Sequence, residues 1–216
     1  MKLETRNLKL EPGVCDADAF AHIRRVRDHR FQHEIASSLP GEFFVSKDPM
    51  IVYTVLGSCI SACIRDPIAG IGGMNHFMLP EPKEHQSGDL WGGESTRYGS
   101  YAMESLINEI LKRGGLKSRL EIKLFGAGKI YEGNIDVGAN NAKWVIGYLK
   151  REGLATVKTD LGDVFPRKVY YFTDSGRVLM KKIEHVKNRT IFERENEYAA
   201  KIKQKELQVV EDVTLF

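Results

Sequence analysis

From Pro49 to Ile64 the chain runs sixteen residues without a charge, PMIVYTVLGSCISACI, its longest such run. A membrane helix needs about 20 apolar residues, and Gly57-Ser58 interrupts this run with a pair suited to a turn. The segment must therefore be buried inside a folded domain. Ile51–Leu56 is rich in β-branched and aromatic residues and reads as one strand. Ile60–Ile64 reads as a second, closed by the Asp66-Pro67 turn, and Ile71–Leu79 as a third. Whatever else the chain forms, it is built around this strand-rich centre.

The rest of the composition is compatible with that centre. With 42% hydrophobic and 28% charged residues in 216, the chain can enclose an apolar core. A net charge of +3 does not call for a nucleic-acid partner. The local excess at Arg24, Arg25, Arg27 and Arg30 reads as a solvated helix face. The first twelve residues mix charges with leucines and lack the apolar core of a signal peptide, so the expected location is the cytoplasm, without membrane insertion. Cys15, Cys59 and Cys63 are too few and odd in number for a disulfide framework and are expected as thiols.

Periodicity outlines the remaining elements. Asp16–Ile35 is expected as a helix with a thin stripe of Phe20, Ile23 and Val26, and Leu39-Pro40-Gly41 breaks the chain after it. A polar loop covers Glu81–Glu94. A helix capped by Ser95 or Thr96 then runs through Arg113, burying Met103, Leu106, Ile107, Ile110 and Leu111, and Gly114-Gly115 ends it. Leu120–Phe125 alternates as a half-buried strand. Asn140 or Asn141 is expected to start a helix carrying Trp144, Val145, Tyr148 and Leu149. A strand at Ala155–Thr159 follows, then a hairpin of Arg167–Phe172 and Arg177–Ile183 around TDSG. The charged tail from Glu184 reads as a surface helix or a mobile end, with Glu197 and Lys201 spaced to pair. The domain division is 1–40 as a helical N-terminal extension, 41–183 as the compact domain and 184–216 as the tail. The class is α/β or α+β.

The chemistry concentrates in the central segment. Cys59 follows Gly57-Ser58 at a strand end, and His76 comes seventeen positions later behind Gly70, Gly72 and Gly73. A thiol of ordinary pKa is mostly protonated at neutral pH and needs a base, usually a histidine. If Ile51–Leu56 and Ile71–Leu79 are neighbouring strands, Cys59 and His76 meet. The backbone N–H groups of Gly57, Ser58 and Cys59 could then hold the oxyanion of a tetrahedral intermediate. Taken singly, each residue has a plainer reading: Cys59 as a small buried side chain, His76 as a hydrogen-bonded core residue, the glycines as turn formers.

The full pattern, TVLGSCISACIRDPIAGIGGMNHFMLP, resembles the signature of the CheD chemoreceptor glutamine deamidases. The likeness continues through RYGSYAMESLINEILKRGG, LEIKLFGAGKI and GRVLMKKI, in family order, over about Pro40 to Ile183. The resemblance implies an α/β layered single domain with a central β-sandwich flanked by helices, shared with toxin deamidases. It implies hydrolysis of glutamine side-chain amides on chemoreceptors, without metal or other cofactor, in chemotaxis adaptation. Cys59 would be the nucleophile, His76 the general base and acid, and Thr54 the residue that orients the imidazole. It also implies a receptor cytoplasmic helical bundle as substrate and, in some relatives, a CheC-type phosphatase as partner. A non-catalytic adaptor binding receptors or that phosphatase is the alternative from another class.

Other candidates carry less. Cys63 lies four residues beyond Cys59, but Cys59, Cys63 and His76 give only three metal ligands, and core packing explains Cys63 better. Asn75 should face away from His76 on a strand. His29 and His33 lack the glutamate of a metalloprotease helix. FGAGKIYEGN lacks phosphate-loop spacing, so Gly126 and Gly128 are read as serving close packing or a tight turn. His85 has no partner in sequence.

Overall fold

The computed structural model describes residues 19–79, 94–130, 136–184 and 189–211. Cys15, Asp16 and His85 lie outside them. In chain order the strands are β1 (Arg25–Asp28), β2 (His33–Ser37), β3 (Phe43–Ser46), β4 (Met50–Leu56), β5 (Ile60–Asp66), β6 (Ile71–Asn75), β7 (Glu121–Gly126), β8 (Thr156–Leu161), β9 (Arg167–Phe172) and β10 (Val178–Lys182). The helices are α1 (Glu94–Lys112), α2 (Val137–Arg151) and α3 (Arg189–Glu211).

Among the described residues these strands form two five-stranded mixed sheets, ordered β1-β2-β4-β9-β10 and β3-β6-β5-β7-β8. Each has one parallel pair, β2 with β4 and β7 with β8. Val52, Leu56, Val169 and Tyr171 of the first sheet share one core with Ile60, Ala62, Ile64 and Leu124 of the second. Helix α1 packs on β3, β5 and β6, and α2 on β5. The second sheet is thus covered on both faces at β5 and β6, which is why these strands have no exposed residue and why the sequence there runs apolar without alternation. The expected α/β sandwich is the architecture found.

Three expectations change. The helix over Asp16–Ile35 is absent from its described part. Phe20 and Ile23 are buried as expected, but β1 and β2 follow them, and β2 pairs in parallel with β4 from Glu34–Met50 to Ser37–Tyr53. A long-range ladder outweighs a weak local stripe. The arginines of the basic patch fall on β1 and its flanks, where charge protects a sheet edge from pairing. Second, β4 and β6 lie in different sheets rather than side by side. Third, Gly72 and Gly73 are not turn residues. A Cβ on Gly72 would stand 2.5 Å from the Thr173 carbonyl oxygen, and one on Gly73 2.6 Å from that of Phe44, so both permit close backbone approach within the sandwich.

Candidate active site

The chain leaves the first sheet at Leu56 and enters the second at Ile60, so Gly57-Ser58-Cys59 is the crossing between them. His76 lies one residue beyond β6. It reaches the crossing because Ile60 and Phe77 exchange backbone hydrogen bonds of 2.8 and 2.9 Å. Backbone bonds from the His76 N–H to the Glu42 carbonyl and from the Gly41 N–H to the His76 carbonyl hold it from the other side. Asn75 faces away, as its strand position requires. Its Oδ1 accepts from the Ala62 N–H at 2.9 Å and its Nδ2 donates to the Ala102 carbonyl at 3.0 Å, tying β5 and β6 to α1.

The crossing is fixed through its carbonyls. Ala127 N–H donates to the Cys59 carbonyl at 2.8 Å and Gly128 N–H to that of Gly57 at 2.7 Å. Asn141 Nδ2 donates to the Ser58 carbonyl at 2.9 Å. Gly126 has φ +115°, and a Cβ there would collide with the Cys59 carbonyl oxygen. The close packing read for Gly126 and Gly128 is therefore the anchoring of the cysteine loop. Asn141 does not start α2, which Asp136 caps by accepting from the Ala139 N–H. It is wholly buried, and its Oδ1 also accepts from the Leu79 N–H at 2.9 Å.

With its carbonyls engaged, the loop turns its N–H groups to one point. The carboxylate of Glu195, from α3, occupies that point. Its Oε1 accepts from the Gly57 N–H at 2.8 Å and the Cys59 N–H at 3.3 Å. Its Oε2 accepts from the Ser58 N–H at 3.0 Å and the Ser58 hydroxyl at 2.6 Å. The N–H groups of Gly57, Ser58 and Cys59, expected from the sequence to face an oxyanion, converge here on a carboxylate of the chain itself.

Cys59 sulfur, a His76 ring nitrogen and a Glu195 carboxylate oxygen all lie within 4.8 Å of one another. Thr54 Oγ1 donates to the Ser38 carbonyl at 2.7 Å, spending its single proton. Its 2.8 Å contact with His76 Nδ1 must therefore be accepted from the ring. Nδ1 also stands 3.4 Å from the Ser38 carbonyl, again an acceptor. The proton thus sits on Nδ1, and Nε2 keeps its lone pair with no hydrogen-bond partner among the described residues. Burial pushes His76 down to about 4, against the opposing pull of Glu195, so the imidazole is neutral at pH 7. Burial, then the Glu195 charge, raises the Cys59 thiol well above its ordinary range.

The thiol and the imidazole are closed off from solvent. Cys59 is 0% and His76 2% exposed. A cavity of about 60 Å³ touches Thr54 and His76 and is bounded by Ile191, Arg194 and Glu195 of α3. Cys59, His76 and Glu195 are donors of types that bind zinc, but both oxygens of Glu195 already accept protein hydrogen bonds. Cys63, on β5, is paired across the ladder with Met74 of β6 and Lys123 of β7 and takes no part. Sequence reading missed Ser38, Asn141 and Glu195. Glu195 falls on the same helical face as Ile191, Tyr198 and Ile202, but among the many charges of the tail nothing in the sequence sets it apart.

Comparison with known proteins bears on these residues. The family model for CheD chemotactic sensory transduction matches residues 78–182. A probable chemoreceptor glutamine deamidase CheD of Methylobacillus flagellatus is 47% identical over 191 residues, 88% of this chain and 93% of that one. Its counterpart in Thiobacillus denitrificans is 48% identical over 178 residues, 82% of this chain and 87% of that one. That of Halorhodospira halophila is 45% identical over 203 residues, covering 91% of each.

Proposed function

This chain belongs to the CheD family, and on that premise we propose that it is a protein-glutamine glutaminase converting glutamine side chains of chemoreceptors to glutamate with release of ammonia. The observation that carries the reading is a His76 ring nitrogen within 4.8 Å of the Cys59 sulfur, on an imidazole whose Nε2 is left bare by Thr54 and Ser38, beside N–H groups already holding a carboxylate.

The steps follow from the residues. His76 Nε2 takes the Cys59 proton as sulfur attacks the carboxamide carbon. The oxyanion enters the N–H groups of Gly57 and Cys59, worth about 3–4 kcal/mol for such donors. His76 returns the proton to the departing ammonia, and water then cleaves the thioester with His76 again as base. Thr54 holds the tautomer throughout. Being uncharged, it stabilises the imidazolium less than a carboxylate would, which suits an enzyme that sets a signalling level. Each conversion adds a negative charge to a receptor helix and changes repulsion along its bundle.

The proposed site of action is the cytoplasm, where receptor helical domains are exposed; no helix among the described residues is long and apolar enough to cross a membrane. The intact Cys59–His76–Thr54 geometry favours an enzyme over an adaptor for receptors or a CheC-type phosphatase. Incubating Cys59→Ala with a receptor cytoplasmic domain should lower ammonia release and amide-to-acid conversion by about 10³-fold or more. Unchanged conversion in that variant ends the reading.

A further inference from the structure

A hydrolase that makes glutamate holds a glutamate in its own oxyanion cradle. Glu195 makes four hydrogen bonds to Gly57, Ser58 and Cys59, and its side chain comes from a helix 137 residues away from Ser58. Its residue is 2% exposed, whereas Glu193, Arg194, Asn196 and Glu197 around it on α3 are exposed. A carboxylate turned inward from a charged helix is costly unless a site receives it, and this one is received by the groups expected to hold a reacting carboxamide.

The seat of the helix is built as a groove. Ile191, Glu195, Tyr198, Ala199 and Ile202 form the stripe of α3 that faces the body, with Ile202 buried and the other apolar members half-buried. Two glycines open the surface beneath it. A Cβ on Gly41 would stand 2.8 Å from the Tyr198 hydroxyl, and one on Gly57 2.8 Å from Glu195 Oε1 as well as against Ile130. Tyr98 of α1 meets the Tyr198 hydroxyl at the far side. A side chain at either glycine would press the helix off the cradle.

Resting on the deamidase reading, we propose that α3 is a built-in pseudo-product: it occupies the groove that receives a substrate helix and presents Glu195 where the deamidated side chain of that helix would stand. The seated helix then gives the recognition rule. The substrate is a helix whose reactive glutamine lies in an apolar stripe, with an aliphatic residue four positions before it, an aromatic residue three after it and an aliphatic residue seven after it. α3 must leave before such a helix enters, so the resting chain is self-inhibited. The carboxylate beside Cys59 opposes thiolate formation in the same state, through its charge.

The decisive experiment makes the pseudo-product into a substrate. In full-length Glu195→Gln, Cys59 sulfur should bond to the carboxamide carbon of the introduced side chain. The C–N bond breaks, ammonia leaves with a proton delivered by His76, and water hydrolyses the thioester to restore the thiol and leave glutamate at position 195. Peptide mass spectrometry should find position 195 as the acid in this variant and as the unconverted amide in Glu195→Gln/Cys59→Ala. A second readout needs no turnover. Iodoacetamide should label Cys59 about tenfold faster or more in Glu195→Ala and in Ile202→Asp, which unseats the helix, than in the wild-type chain. Cys63 serves as the internal reference, and unchanged circular dichroism shows that the variants fold. An amide left intact at position 195 while the wild-type chain deamidates receptor domain overturns the pseudo-product and leaves the enzyme reading standing, whatever the labelling shows. That amide and the receptor both left intact overturns the two together.

Discussion

The crossing at residues 57–59 and helix α3 meet in the same site but are held in different ways. The crossing is fixed at three successive carbonyls, two by the backbone of Ala127 and Gly128 and one by buried Asn141. It cannot move without disturbing β7 and α2. Helix α3 belongs to neither sheet, and the described contacts that seat it run through side chains, chiefly Glu195, Tyr198 and Ile202. One part of the site is set by the fold, and the other is docked upon it. Catalytic geometry requires the first kind of attachment, and a cover that must come and go requires the second.

The strongest way to break that contrast is at Gly126. Gly126→Ala would force a Cβ into the Cys59 carbonyl oxygen from a backbone of positive φ. We expect a loss of about 3 kcal/mol or more in urea unfolding, with activity falling as the crossing shifts. A loss near zero would mean that the crossing is less rigid than its hydrogen bonds imply.

Acid should sharpen the comparison next. His76 sits at about 4 in the folded chain against an ordinary 6.5. Between those values the unfolded chain binds a proton that the folded chain refuses, so stability falls as pH drops through that window. The effect is on the order of 1–3 kcal/mol. It should be largely missing from unfolding curves of His76→Gln taken from pH 7 to pH 4.

The smallest effect belongs to the docked part. Ile202 is as buried as many core residues, at 4%, yet Ile202→Ala should cost less than about 1 kcal/mol of global stability, because the helix can undock rather than tolerate a cavity. The same truncation at Ile64, in the shared core, should cost about 2–5 kcal/mol. Hydrogen exchange at α3 amides should rise in Ile202→Ala while β5 and β7 stay protected.

The same division explains what could be read from the chain alone. Leu120–Phe125 alternates because one face of β7 is packed, and the segment is found as a strand one residue along. Thr54, Cys59 and His76 lie within 23 residues and carry a recognisable pattern. Their proximity, however, arises from a crossing between two sheets, not from neighbouring strands. The 16–35 stretch misled because Phe20, Ile23 and Val26 have helical spacing, while the decisive partner of Ile35 is Ile51 on β4. Asn141 gave no sign of its role: an asparagine before an apolar helical run reads as a cap, and its partner Ser58 is 83 residues distant. Glu195 was lost among the charges of its tail, since only the folded surface distinguishes an inward carboxylate from its solvated neighbours.

The closure over Cys59 has a chemical consequence of its own. Peroxides and electrophiles attack thiolate that they can reach. A sulfur with no exposed surface, lying against a carboxylate and kept protonated, offers them neither form nor access. On the proposed mechanism, the chain with α3 seated can outlast oxidative stress with its nucleophile unspent, and each departure of the helix would expose that atom to damage as well as to work.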